Sequence, residues 1–345
     1  MSQVKVTSAE VAALAGVSQS AVSRVFTPGA SASAKTALKV RQAAVKLGYR
    51  PNSIARAMVS GKSRIIGLVV AYLENQFYPE ALEKLSAMLQ DRGYHVLIFM
   101  ANTATDNLDE ILDEILDYQV DGIVAASVAL SSQLLDRCQN AGVPVVLFNR
   151  SQDLQSLSSV TSDNLKGGRK VADFLLATAP NRIGYIAGWE GASTQRDREF
   201  GFRQRLAEEG LDIDLRTIGN FHMDSARQAT LEMFDRGDPP DAIFVANDHM
   251  AFAVMDTLRF ELALSVPHDV SVVGYDDVPT AAWRAYDLTT VRQPVNQMVA
   301  RTVETLLRQI NDPDSTPSRV ALDGPLIIRR SVRLPEGWTN ETLCE

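Results

Sequence analysis

The chain of 345 residues is poor in cysteine, with Cys138 and Cys344 alone. Two thiols cannot build a disulfide framework, and no Cys/His spacing suggests zinc. Long apolar runs are missing too. The longest, Ile65–Leu73, is interrupted only by Gly67, whereas a membrane-spanning helix needs about 20 such residues. Residues 1–15 contain Lys5 and Glu10 and no apolar core, so no secretory signal is read there. A cytoplasmic location without membrane contact is the expectation. Catalytic signatures are also absent: there is no H-E-x-x-H, Walker A, G-x-S-x-G or strand-bound G-x-G-x-x-G. These absences argue against an enzyme, and no cofactor or metal is expected. The four histidines, His95, His222, His249 and His268, are scattered and are expected at solvated positions.

What is present begins with charge. The net charge is −8, yet residues 1–64 carry ten basic residues against Glu10 alone. That head is +9, which leaves −17 for the rest. A basic head on an acidic body suits a polyanion partner for the head only. A basic surface without such a partner would give the same composition. In residues 7–26, TSAEVAALAGVSQSAVSRVF, Thr7 and Glu10 have the spacing of a capping box. Val11 and Leu14 share a helix face, and Gly16 can take the left-handed conformation that ends the helix. Ser18 is an N-cap candidate for a second helix, with Val22, Val25 and Phe26 as its apolar face. A third helix is predicted from about Ser33 to Leu47, stopped by Gly48. Val40, Ala44 and Leu47 would face inward, and Lys35, Lys39 and Arg41 outward. Two short helices around a glycine-containing turn make a helix-turn-helix, whose second helix enters the DNA major groove. That helix would present Gln19, Ser20 and Ala21, with Ser23 and Arg24 one turn on.

After Lys62, short apolar strands alternate with helix-period stretches. Candidate strands are Ile65–Val70, Val96–Met100, Gly122–Ala126, Val143–Phe148, Arg182–Ala187, Ala242–Val245 and Val270–Gly274. Pro79–Arg92 and Leu108–Tyr118 read as helices. Such alternation implies an α/β body of parallel sheets with helices on both faces. Ligands of such sheets bind at the carboxyl ends of the strands. About 280 residues are enough for two such lobes.

The stretches EVAALAGVSQSAVSRVF, SAKTALKV and LGYRPNSIARAMVSGKSRIIGLVV resemble the lactose-repressor (LacI/GalR) family of bacterial transcription factors. So do VANDHMAFAVMDTLR at 245–259, VPHDVSVVGYDDVP at 266–279 and LTTVRQPV at 288–295. The resemblance runs from near Val6 to the C-terminal region. It implies an all-α DNA-binding head at 1–50, a hinge helix or linker at 51–61 and an effector-binding and dimerisation domain at 62–345. That domain would be periplasmic-binding-protein-like, with lobe 1 at about 62–160 and 292–325 and lobe 2 at about 161–291. The implied partners are a pseudopalindromic double-stranded DNA operator, a second copy of the chain and a small effector. The family's tetramers carry a leucine-heptad tail, and the end of this chain has none, so a homodimer is expected.

The resemblance also implies a residue-level site. On DNA it covers Ser18, Gln19, Ser20, Ala21, Ser23 and Arg24 in the head, and Asn52, Ala55, Arg56 and Met58 in the hinge. Pro51 disfavours helix at Arg50, and a helix over 52–60 is only about two turns, too short to persist alone. Met58 stands where most members have Leu, and reads either as a minor-groove wedge or as a linker residue. Arg24 reads either a base or a phosphate. In the cleft the resemblance implies Asn75, Phe77, Tyr78, Asn149, Arg198, Phe221, Asn247, Asp276 and Gln293. Carboxylate, amide and guanidinium groups suit a polyol, and a sugar or sugar acid is the expected effector. Core packing is the competing reading for Phe77, Tyr78 and Phe221. Asp277 is expected to be structural. Tyr286 replaces the family's proline, and nearby Trp283 enters either the cleft or the core. Inducer and co-repressor roles both stay open, as do a purine effector and a pure sugar-binding module without DNA regulation.

Overall fold

The computed structural model describes residues 6–26, 30–50, 62–101, 108–128, 130–152 and 156–338. The chain divides into two compact units, Met1–Ser63 and Arg64–Glu345.

The first unit holds α1 (Ser8–Ala15), α2 (Gln19–Phe26) and α3 (Ala34–Leu47). The capping box forms: Glu10 N donates to Thr7 Oγ1 at 3.4 Å, and Thr7 N donates to Glu10 Oε2 at 2.7 Å. These bonds hold the Glu10 carboxyl below its ordinary range. Gly16 and Gly48, at φ 65° and 66°, end α1 and α3 in the left-handed region, which a Cβ would strain. Ser18 Oγ accepts from Ala21 N at 3.2 Å at the start of α2. Val11, Val22 and Val40 fill the core, and Ala12, Ala15, Ala43 and Ala44 let the helices close around them. Leu14, expected inward, is 46% exposed, because the buried stripe runs through 11, 12 and 15 instead. Ser33 caps α3, its Oγ accepting from Thr36 N at 3.2 Å. Ser33→Ala should cost this helix about 1 kcal/mol. Hydrogen exchange in the first turns of α3 should then accelerate about fivefold; unchanged exchange would show that the cap contributes nothing.

The second unit runs β1 (Ile65–Val70), α4 (Phe77–Asp91), β2 (His95–Met100), α5 (Leu108–Asp117), β3 (Gly122–Ala126), α6 (Ser132–Asn140), β4 (Val145–Phe148), β5 (Ser158–Ser162), α7 (Asn164–Ala177) and β6 (Ile183–Ala187). It continues with α8 (Ser193–Glu208), β7 (Leu215–Ile218), α9 (Met223–Asp235), β8 (Ala242–Val245), α10 (Asp248–Asp256), β9 (Ser271–Asp276), β10 (Thr289–Arg292), α11 (Val295–Asn311), β11 (Arg319–Leu322) and β12 (Leu326–Ile327). Two six-stranded sheets result, ordered β11-β5-β4-β3-β1-β2 and β12-β10-β9-β8-β6-β7. Every pairing is parallel except β10 with β12. The chain passes between the sheets three times: after β5, after β10 and after β11.

Strands β1, β3, β4 and β8 are apolar along their whole length, as expected where helices cover both faces of a sheet. β5 is the most polar of the buried strands. Its sequence SSVTS is buried throughout, and it lies between β11 and β4. Ser158 Oγ accepts from Ser318 N and Gln309 Nε2, both at 3.0 Å, so its burial leaves no polar atom orphaned. The helices α7 and α8 meet backbone to backbone. A Cβ built on Gly168 would lie 2.1 Å from the Arg198 carbonyl oxygen, and one on Gly201 would lie 2.1 Å from that of Leu165. Among the described residues, no helix is long and apolar enough to cross a membrane.

Candidate functional site

The first unit exposes the start of α2. Ser18, Gln19, Ser20, Ser23 and Arg24 are exposed and Ala21 is half-buried. Ser18 is partly committed to capping. Gln19 Nε2 donates to Ser8 Oγ at 2.8 Å, which ties α2 to α1. Its Oε1 and second amide hydrogen are therefore what it can offer a base edge. Asn52, Ala55, Arg56 and Met58 lie outside the described residues.

The second unit gathers a polar cleft at the carboxyl ends of both sheets. Asn75 and Tyr78 follow β1, and Asn149 and Arg150 follow β4. Thr194 and Arg198 lie on α8, Phe221 follows β7, Asn247 follows β8 and Asp276 ends β9. With Tyr72 these residues line one small cavity. Seven of the nine expected cleft residues are thus brought together. Phe77 is a correction: its ring stacks on Phe148 at 6.1 Å in the core beside the cleft. Gln293 does not line the cavity either, and instead holds Asp276, Nε2 donating to Oδ1 at 2.7 Å.

Asp276 is the centre of the network. Asn75 Nδ2 donates to its Oδ2 at 3.0 Å, and Arg198 Nη2 lies 3.5 Å from Oδ1. Burial pushes this carboxyl up, while Arg198 and the two amides oppose the shift. Arg198 is more committed than its sequence position suggests. Nε donates to Asn164 Oδ1 at 2.8 Å, Nη1 donates to the Ala246 carbonyl at 2.5 Å, and the guanidinium lies over the Tyr275 ring at 3.7 Å. Asn247 is not a two-way partner either. Its Oδ1 accepts from Met250 N at 3.0 Å as the N-cap of α10, leaving the amide hydrogens for a ligand. Phe221 sits at φ 63°, after Asn220 at 52°. Its ring lies so close to Gly188 that a Cβ there would meet it at 2.2 Å.

Several contacts cross from one lobe to the other. Besides Asn75 to Asp276, Thr280 Oγ1 donates to Gln76 Oε1 at 2.8 Å. Ser151 N donates to Ser193 Oγ at 2.9 Å, and Arg150 Nη1 to Thr194 Oγ1 at 3.4 Å. The lobes are therefore closed on each other. His249, expected at a solvated position, is buried 3.9 Å from Glu74, and desolvation lowers its pKa. Trp283 enters neither cleft nor core and is 61% exposed. Tyr286 packs on Phe252 at 4.5 Å and donates to Asp256 at 3.2 Å. Asp277 pairs with Arg292 at 2.6 Å and Arg329 at 2.7 Å, outside the cavity lining. Sequence reading missed Tyr72, Arg150 and Thr194. Arg150 directly follows Asn149, and Thr194 stands one helical turn before Arg198 on the same face.

Behind the cleft, Asp248 is pushed up to about 8, first by burial and then by the Asp276 charge. Its oxygens accept from Thr290 Oγ1 at 2.6 Å and Val278 N at 3.0 Å. The unfolded carboxyl titrates near its ordinary value, so between there and about pH 8 the folded state binds the extra proton. Its contribution to stability therefore falls as pH rises through that window and levels off above about 8. Asp248→Asn keeps both contacts, with the Thr290 hydroxyl now accepting. From pH 5.5 to 8 the variant should gain stability relative to the parent, by at most about 1.4 kcal/mol per pH unit, which its melting temperature follows. Parallel pH profiles would contradict the assignment.

Known proteins share this arrangement. The family described as bacterial regulatory proteins, lacI family, matches residues 7–52, and the periplasmic binding protein-like domain family matches residues 172–332. Over 330 residues the chain is 32% identical to the HTH-type transcriptional regulator CelR of Thermobifida fusca, covering 93% of this chain and 96% of that protein. A solved structure of a transcriptional regulator CelR-cellobiose complex aligns at TM-score 0.72 and 30% identity, over 95% of this chain and all of the other. The lac repressor dimer bound to operator and the anti-inducer ONPF aligns at TM-score 0.85 and 26% identity, over 95% and 99%. A helix-turn-helix unit and a two-lobed cleft unit in one chain make the protein a transcriptional regulator. It belongs to the LacI family of bacterial regulatory proteins.

Proposed function

We propose that the protein is a dimeric repressor whose affinity for a pseudopalindromic operator is set by a small polyhydroxylated effector held between the two lobes. The observation that carries this reading is the cleft itself. Asn75 from one lobe is bonded to Asp276 of the other inside a lining of amide, hydroxyl and guanidinium groups. A ligand inserted there competes with contacts that hold the lobes together, so its binding energy couples to the lobe angle. Such couplings are typically ~1–3 kcal/mol, or about 5–150-fold in affinity. Residues 1–50 would read DNA, 51–61 would form the hinge, and 62–345 would bind effector and dimerise. A symmetric dimer matches two half-sites one helical turn or a multiple apart.

The test is fluorescence anisotropy of the full chain on a labelled fragment of its own promoter. Binding should be tight at low salt and weaken with a log–log slope of about −0.9 per phosphate contacted. At least one sugar or sugar derivative should shift the curve. No binding at low salt would end the regulator reading. A Met58→Ala variant that leaves the DNA bend angle unchanged would end the wedge.

A further inference from the structure

Arg150 is the one feature of the cleft that a neutral polyol does not explain. It follows β4 and is buried to 4% exposure. Nη2 donates to Ser127 Oγ at 2.8 Å and lies 3.3 Å from the Ser127 carbonyl oxygen, while Nη1 reaches Thr194 Oγ1. Its Nε is buried without a hydrogen-bond partner. Among the described residues no carboxylate lies within ion-pair reach of it, and its neighbours include the Tyr72 and Tyr78 side chains. A guanidinium keeps its charge even in a protein interior, and an uncompensated buried charge is strongly unfavourable.

The charge balance of the cavity follows. Arg150 and Arg198 contribute two positive charges. Among the described residues the single acid in the lining is Asp276. The three groups bonded to it, from Asn75, Gln293 and Arg198, are all donors. A protonated carboxyl would leave its own hydrogen without an acceptor there, so the ionised form fits. One positive charge is left over. Asn149 sharpens the imbalance: it stands beside Arg150 with its Oδ1 buried and unpartnered, supplying an amide where a carboxylate would have neutralised the cation.

Taking the cleft as the effector site, as proposed above, the geometry points to an effector that is a carboxylate, a sugar acid whose –COO⁻ docks on Arg150. One carboxylate cancels the surplus charge. A phosphate monoester, at ≈ −1.5 to −2, overshoots it. The unpartnered Arg150 Nε–H offers a carboxylate a charge-assisted bond. The hydroxyl groups of the ligand then meet Asn247, Asn75 and Asp276.

Isothermal titration of the full chain at pH 7.5 tests this, with gluconate, glucuronate and galacturonate against glucose and galactose, and with glucose 6-phosphate. At least one carboxylate should bind about tenfold or more tighter than its neutral counterpart, a difference of about 1.4 kcal/mol. Arg150→Gln should erase that preference. Asn149→Asp, which Asp can accommodate at φ 53°, supplies the missing negative charge and should weaken the acids about tenfold. Melting temperatures establish that both variants fold. The proposal is overturned if a neutral sugar binds as tightly as its acid, if none of the carboxylates binds, or if only the phosphate does. It is equally overturned if folded Arg150→Gln keeps the preference. Promoter anisotropy on the same samples separates the two readings. Failure to bind DNA removes the regulator, whereas a response to neutral sugars alone removes only the carboxylate.

Discussion

Gly201→Val is expected to destabilise the two-lobed unit by about 3 kcal/mol, the upper end of what overpacking costs. The reason lies in the α7–α8 crossing. A Cβ at 201 would stand 2.1 Å from the Leu165 carbonyl oxygen, which is backbone and cannot rotate away. Gly168 repeats the geometry one turn along, against the Arg198 carbonyl. The helices must therefore separate as rigid bodies. Arg198 lies one turn before Gly201 on α8, and its Nε is bonded to Asn164 at the start of α7. Separation should pull the guanidinium off Asn164 and spoil the cleft. All three tryptophans, Trp189, Trp283 and Trp338, lie in this unit, so the urea transition followed by their fluorescence reports it alone. A midpoint unchanged from the parent would mean the close crossing is not required.

Reading the sequence located the elements whose pattern is local. The capping box at Thr7 and Glu10, the glycine stops at 16 and 48, and the Gly122–Ala126 and Ala242–Val245 strands all need only neighbours a few residues away. The fold class followed from the alternation of apolar strands and helices, and the resemblance supplied the family. What escaped depended on distant partners. The SSVTS strand carries no apolar signal, and it is buried because Ser318 and Gln309 satisfy Ser158 from more than 150 residues away. Leu14 looked inward because it has helical spacing with Val11, but the smaller alanines at 12 and 15 allow the closer approach. Phe77 and Tyr78 are adjacent and equally aromatic, yet the turn after β1 sends one ring to Phe148 and the other to Asn149. The commitments of Asn247 to a helix cap and of Gln293 to Asp276 were invisible for the same reason. A side chain's spare valence depends on what folding has already bonded to it.

Arg198→Met should have the largest effect on the cleft. The variant removes the cation that lies between Asp276, Asn164, the Ala246 carbonyl and the Tyr275 ring. It leaves Asp276 about 4% exposed and without its charge partner, which pushes its carboxyl further up. Breaking a buried ion pair from one side costs ~3–5 kcal/mol, because the remaining charge is stranded. The 3.5 Å separation of this pair and the two amides still donating to Asp276 place the expected loss near the lower end, about 3 kcal/mol. Asp276→Asn strands the opposite charge and turns one donor, from Asn75 or Gln293, against an amide hydrogen. The double variant should be less destabilised than the sum of the two, with a coupling of about 0.5–3 kcal/mol, since both act on one network. Strict additivity in urea melts would show that the residues are independent. The functional readout is separable. The helix-turn-helix is a unit of its own, so folded Arg198→Met should still bind promoter DNA while losing its response to effector. A full effector response in that variant would reduce Arg198 to a packing role.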